Sequence, residues 1–259
     1  MNIGTAKPSQ DELAAVPHFF VNNLSIQEDF SAGDFEKQAL DKIKELFNNY
    51  DVVVMVGGSG LFINAVCQGL DELPKPLPGI RDKLNNLHKE KGLLYLQQDL
   101  KIKDPDYYAE VDINNPQRVI RALEVYESTG KPFSFFRKDK PSDRPFRILK
   151  IGLNTDRELL YKRINQRVDE MMKGGLLKEV QTLLPYRHYA PLLTVGYVEL
   201  FDYLDGKITL ADAIEKIKQH TRQYAKRQIT WFKKDANTTW FEPTQVAGII
   251  QFIKQETAS

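Results

Sequence analysis

One cysteine, Cys67, and four histidines scattered at His18, His88, His188 and His220 leave this sequence with few groups for metal or redox chemistry. A single thiol closes no intrachain disulfide and completes no Cys-x-x-Cys site, and no two histidines share the spacing that places both imidazoles on one helix face. Cys67 lies in an apolar helical context and reads as packing. No apolar stretch reaches the roughly 20 residues of a membrane helix, and no charged-then-apolar signal pattern opens the chain. No membrane partner is therefore expected, and the cytoplasm is the expected compartment. An excess of either charge is missing too. A formal net charge of +1 excludes a globally basic nucleic-acid binder and leaves only local basic faces to consider.

What is present is ordinary globular material: 259 residues, 42% hydrophobic and 27% charged, enough for one large core or a core carrying an inserted domain. Ser31 is placed to cap a helix with Phe35, Ala39, Ile43 and Leu46 on one face. The β-branched run at 51–56 predicts a strand buried on both faces of a parallel sheet. Three prolines in 71–84 break the pattern, and a polar, wholly helical stretch without a strand follows to about Phe136. A strand near 146–153 and a helix entered at Thr155 or Asp156 resume the earlier grammar. The expected class is α/β, with a core of residues 1–73 and 142–259 interrupted by a helical insertion at 74–141.

Four stretches could carry chemistry. Gly57, Gly58 and Gly60, between the apolar run and a helix, either make a tight structural turn or offer backbone N–H groups to an anion, with Ser59 as the nearby hydroxyl. Their spacing matches neither G-x-x-x-x-G-K-[ST] nor G-x-G-x-x-G. In "NNPQRVIRALEVYESTGKP", Asn115, Pro116 and Gly130 delimit a helix. Arg118 and Arg121 occupy its first turns, against the macrodipole, so either an anionic partner or local carboxylates such as Glu124 must balance them. Arg163 and Arg167, four apart beside the apolar stripe of Leu160, Ile164, Val168 and Met171, could share one phosphate or form a solvated face with Asp169 and Glu170. Finally, "KIKQHTRQYAKRQITWFKK" holds seven Lys or Arg and no acid. Lys218, Arg222 and Lys226 recur every fourth residue there, a repulsive pattern that a phosphate backbone or diphosphate would relieve.

Taken together, "IGTAKPS" (3–9), "VPHF" (16–19), "FSAGDF" (30–35), "VGGSGLFI" (56–63), "NNPQRVIRALEV" (114–125), "VGYVEL" (195–200) and "TRQYAKRQITWF" (221–232) resemble the bacterial tRNA dimethylallyltransferase family. The resemblance implies a P-loop NTPase-like α/β core with a helical insertion that grips the anticodon stem. It implies transfer of a dimethylallyl group from dimethylallyl diphosphate to the exocyclic amine of the adenosine 3′ of the anticodon, with Mg²⁺ as cofactor and tRNA as partner, by a monomer. Residue by residue, it implies tRNA contacts at Ser59, Arg81, Gln117, Arg118, Val119, Ile120, Arg121, Leu193, Thr194, Val195, Gly196, Tyr197 and Val198, with Arg222, Lys226 and Arg227 on the basic helix. Arg167 would meet the diphosphate, supported by Arg163, Gly57 and Gly58, and Arg167 and Ser59 would stand at the reaction centre. No residue is implied as a metal ligand. Family members also supply a strand, a G-x-x-x-x-G-K-[ST] loop and a strand-end Asp-Ser with the proposed base ahead of the position Met1 resembles. The N-terminal strand and phosphate loop are accordingly expected to be missing, leaving strand edges unpaired. The competing readings are an inactive tRNA-binding remnant and an adenylate isopentenyltransferase.

Overall fold

The computed structural model describes residues 1–5, 7–137 and 142–258. Ala6 of the 3–9 stretch and the end of the insertion expected at residue 141 lie outside them. In chain order the elements are α1 (Gln10–Ala15), α2 (Ala32–Leu46), α3 (Gly60–Gln68), α4 (Ile80–Lys103), α5 (Pro105–Glu110), α6 (Pro116–Thr129), α7 (Phe133–Phe136), β1 (Lys150–Leu153), α8 (Arg157–Lys173), α9 (Leu176–Leu183), α10 (Val198–Leu204), α11 (Leu210–Phe232), β2 (Thr238–Phe241) and α12 (Val246–Thr257). They form two compact units, Met1–Ile63 with Phe146–Ser259, and Asn64–Pro145.

In the first unit the helix starts follow local chemistry. Ser9, Ser31 and Thr209 each accept a backbone N–H three residues on, and Glu12, Asp34 and Asp212 return the bond. Such reciprocal caps satisfy N–H groups that the helix itself cannot. Asp156 caps α8 through the N–H groups of Glu158 and Leu159. The core gathers Val168 of α8, Leu176 and Val180 of α9, Leu192 and Tyr197 from the segment between α9 and α10, Leu200 and Phe201 of α10, and Ala213 and Ile217 of α11. It is thus built helix on helix. β1 and β2 pair in parallel, Lys150 opposite Thr238 through Leu153 opposite Phe241. Gly152 makes room there for Trp240, since a Cβ would fall 2.6 Å from its ring.

One expectation fails here. Residues 51–56 do not form a strand: Val54 and Val56 are 78% and 88% exposed, and among the described residues no backbone hydrogen bond joins 51–56 to another segment. β-branched residues favour extended backbone, but a strand exists only through its neighbours. The parallel sheet is consequently two strands among the described residues, one of them the unforeseen β2.

The second unit contains no strand among its described residues. Leu84, Leu96 and Leu100 of α4 pack on Val119, Ile120, Ala122 and Leu123 of α6, and α4 bends at Gly92, whose φ of 77° only glycine adopts without strain. Asn115 accepts from the N–H groups of Gln117 and Arg118, Pro116 opens α6, and left-handed Gly130 closes it, as the sequence predicts. Asp104, buried, caps α5 at the Tyr107 N–H and takes both the N–H and the hydroxyl of Ser134. Glu124, 2% exposed, accepts from Arg81 Nε and Nη2 at 2.8 and 2.9 Å and from Arg121 Nη1 at 2.8 Å. Burial pushes its carboxyl up, but the two guanidiniums outweigh that and hold it below the usual carboxylate range.

A depressed folded pKa means that this bond's share of stability is present above the unfolded value of about 4.3 and is lost as pH falls through the folded one. Urea melts from about pH 6 to about pH 3 should therefore show a larger loss for wild type than for Glu124→Gln; equal losses would contradict the assignment. At neutral pH, Glu124→Ala should cost about 1–3 kcal/mol, because two guanidiniums lose their acceptor.

Candidate functional site

The glycine loop is shaped by α11. A Cβ on Gly58 would lie 2.1 Å from the Gln228 side chain and one on Gly60 2.3 Å from Trp231. The Gln228 amide donates to the Gly58 carbonyl at 2.8 Å. Neither glycine has a positive φ, so close approach, and not backbone freedom, is what excludes side chains there. Contact with the Trp231 ring accounts for glycine at 60, while at 58 only the movable end of Gln228 stands in the way. Gly57 has open space where a side chain would project, and Ser59 is exposed, its carbonyl accepting the Ile63 N–H. The Ser59 hydroxyl has no hydrogen bond among the described residues.

Charge on α8 and α11 is sorted by pairing. Asp169 is taken by Lys218 at 2.9 Å and Glu170 accepts from the Gln166 amide at 2.8 Å; among the described residues neither carboxylate forms an ion pair with Arg163 or Arg167. Arg163 and Arg167 are exposed and make no ion pair among the described residues. Lys218 is held a second time by Glu215. Arg222 donates to Asn165 Oδ1 at 2.6 Å and stands over the Tyr161 ring. Lys226 and Arg227 are exposed without a carboxylate among the described residues, Arg227 lying 5.8 Å from the Tyr224 ring centroid. Tyr224 and Trp231 are 42% and 41% exposed. Cations interleaved with exposed aromatic faces suit a phosphate backbone with unstacked bases.

In the 193–198 loop, Leu193, Thr194 and Val198 face solvent and Val195 is half-buried, whereas Gly196 and Tyr197 are buried. The Tyr197 side chain, 0% exposed, belongs to the core and offers no surface to RNA. Gly196, at φ 97°, donates its N–H to the buried Glu199 carboxylate at 2.8 Å, and the other Glu199 oxygen meets His220 Nδ1 at 2.6 Å. Glu199 stands within the 195–200 stretch, where the resemblance assigns it no role; an acid three residues after a glycine is the local signal for this bond.

In the Asn64–Pro145 unit, Gln117 and Arg118 are exposed, and Arg118 has no ion pair among the described residues. Arg121 and Arg81 both bind Glu124, so one carboxylate offsets half of their combined charge, and half of the Arg81 side chain remains open. Val119 and Ile120 correct an expectation: at 0% and 1% exposure they fill the α4–α6 interface, because helical periodicity turns them inward together with Leu123. Among the described residues no group of three or more His, Cys, Asp or Glu could hold a metal ion, and no helix is long and apolar enough to cross a membrane.

The model of the family "IPP transferase" matches residues 1–235. The tRNA dimethylallyltransferase of Christiangramia forsetii is 52% identical over 242 residues, covering 93% of this chain and 80% of the relative. The solved full-length tRNA isopentenylpyrophosphate transferase of Bacillus halodurans superposes with a TM-score of 0.69 at 35% identity, covering 99% of this chain and 83% of its own. A eukaryotic dimethylallyltransferase captured acting on tRNA superposes at 0.76 with 25% identity, over 95% of this chain and 64% of that one. With its model matched along most of the sequence and its members alike in fold, the IPP transferase family is the one to which this chain belongs.

Proposed function

We propose that this chain transfers a dimethylallyl group from dimethylallyl diphosphate to the N6 amine of the adenosine 3′ of the tRNA anticodon, as a cytoplasmic monomer. The observation that carries this reading is the match, over 93% of the chain, to a relative named tRNA dimethylallyltransferase. The exposed cations of both units agree with it. Arg118 on α6, and Lys226 and Arg227 on α11, lack a carboxylate among the described residues and suit the RNA backbone. Arg163 and Arg167, one helical turn apart, suit a diphosphate.

In the reaction the amine nitrogen bonds to the allylic carbon while the carbon–oxygen bond breaks, the bonding pair departs on the diphosphate, and the nitrogen's proton passes to a base. Charge grows on the leaving oxygens, so a guanidinium aimed at them favours the transition state over the bound substrate. Arg167 takes that role, with Arg163 beside it. The target adenosine must leave the anticodon-loop stack to be reached, and exposed Tyr224 and Trp231 offer it and its neighbours aromatic faces. Among the described residues no group of three or more His, Cys, Asp or Glu could hold a metal ion; Mg²⁺ would arrive with the diphosphate and would supply further positive charge to the leaving group.

Nucleoside mass spectrometry of unmodified tRNA incubated with the chain, Mg²⁺ and dimethylallyl diphosphate should reveal prenylated adenosine next to the anticodon. Prenylated free adenylate, or tRNA bound but unmodified, would overturn the proposal. Arg167→Ala should lower kcat/KM by about 10²-fold, and an unchanged value would remove Arg167 from the diphosphate. Removing the Arg118 side chain as Arg118→Ala should reduce the salt slope of tRNA binding by about 1 while leaving stability within about 0.5 kcal/mol. A wild-type slope would contradict the phosphate contact.

A further inference from the structure

We propose that Glu179 is a positioning residue: it fastens the Asn2–Gly4 segment to Tyr197 and thereby fixes the 193–198 loop for the RNA. The inference deepens the tRNA reading above and rests on it for the identity of the ligand.

Both carboxylate oxygens of Glu179 are filled. Oε2 accepts the Asn2 and Ile3 N–H groups at 2.8 and 2.9 Å, and Oε1 accepts the Gly4 N–H at 3.2 Å and the Tyr197 hydroxyl at 2.7 Å. Four donors come close to saturating a carboxylate's acceptor sites. Burial pushes the Glu179 carboxyl up, but the hydroxyl and three amides outweigh it and hold the group below the ordinary range. Burial, followed by the Glu179 bond, pushes the Tyr197 phenol up, so that it remains a donor. The fit is also steric. A Cβ on Gly4 would stand 2.5 Å from the Tyr197 hydroxyl oxygen, so the segment can lie on the ring only with glycine at that position.

Tyr197 carries this hold into the loop. The next residue back, Gly196, is gripped from the other side by Glu199, so two carboxylates hold consecutive residues. Within the loop itself the Tyr197 and Val198 N–H groups share one acceptor, the Thr194 carbonyl, at 3.2 Å each. Leu193 is held separately by its N–H to the Ala190 carbonyl at 3.1 Å, whereas exposed Thr194 and Val198 flank the anchored Gly196 and Tyr197 and take their placement from them. Fixing such a surface before binding removes an ordering cost from association. A purely structural staple would hold residues 2–4 and leave RNA affinity untouched.

The test compares Glu179→Gln, Tyr197→Phe and the double variant in the full chain by tRNA affinity, amide hydrogen exchange at 193–198, and KM for each substrate. Each single change should weaken tRNA binding about 10-fold, with the double no worse than the larger single, as residues acting through one bond behave. Exchange at 193–198 should accelerate while the KM for dimethylallyl diphosphate stays unchanged. Unaltered tRNA affinity with only a lower melting temperature would overturn the proposal, as would additive effects or a parallel rise in both KM values. Affinity and exchange are read without turnover, so wild-type chain that binds tRNA but yields no prenylated adenosine would refute the proposed reaction and still leave this inference tested.

Discussion

The seating of α11 is the constraint from which the rest of the first unit follows. Ala213 and Ile217 bury its first half in the helical core, and Gln228 and Trp231 hold its second half against the glycine loop, by a hydrogen bond to Gly58 and by ring contact at Gly60. With both ends fixed, the helix has no freedom to roll, and Lys226 and Arg227 are committed to solvent. The glycine run that resembles a phosphate loop thus serves first as the seat of a basic helix. A methyl group at position 60 would have to displace the Trp231 ring, whereas one at 58 meets only the end of the Gln228 side chain and costs its hydrogen bond to the loop.

Charge in both units is divided between groups that the fold balances and groups that it leaves open. Arg81 and Arg121 share buried Glu124, Lys218 lies between Asp169 and Glu215, and Arg187 makes a two-bond pair with Asp205. Removing any of these partners strands charge, so they act mainly in stability. Arg118, Arg163, Arg167, Lys226 and Arg227 have no such partner among the described residues, which makes an external anion their natural complement. Formal spacing of like charges does not reveal this division; it depends on which carboxylates the tertiary structure delivers.

Helix limits were legible because their determinants are local. Ser31, Asn115, Pro116, Gly130 and Asp156 act within four residues of themselves, and each stands where the sequence predicts. What depends on remote chain was not. The 51–56 run has a strand's composition, but whether it pairs is decided by segments elsewhere, and β2 is too short to announce itself. Arg121 meets Glu124 three residues on, as local spacing allows, but the bond from Arg81 to the same carboxylate, 43 residues away, has no local sign. Glu179 gave no local sign at all, since its partners Asn2, Ile3 and Gly4 lie 177 to 175 positions distant. Tyr197 illustrates the opposite hazard: a resemblance marks it for contact, yet its side chain is buried and holds the contacting loop from within.

The division of charge is tested most directly by the salt dependence of tRNA affinity for two charge-matched double variants, Lys226→Ala with Arg227→Ala and Lys218→Ala with Arg187→Ala. Removing the unpaired cations should lower the slope of log affinity against log salt by about 2, with melting unchanged, because each phosphate contact releases about one counterion. Removing the paired cations should lower the melting temperature and keep the slope. Equal slopes for the two variants, or the reverse assignment, would contradict the account.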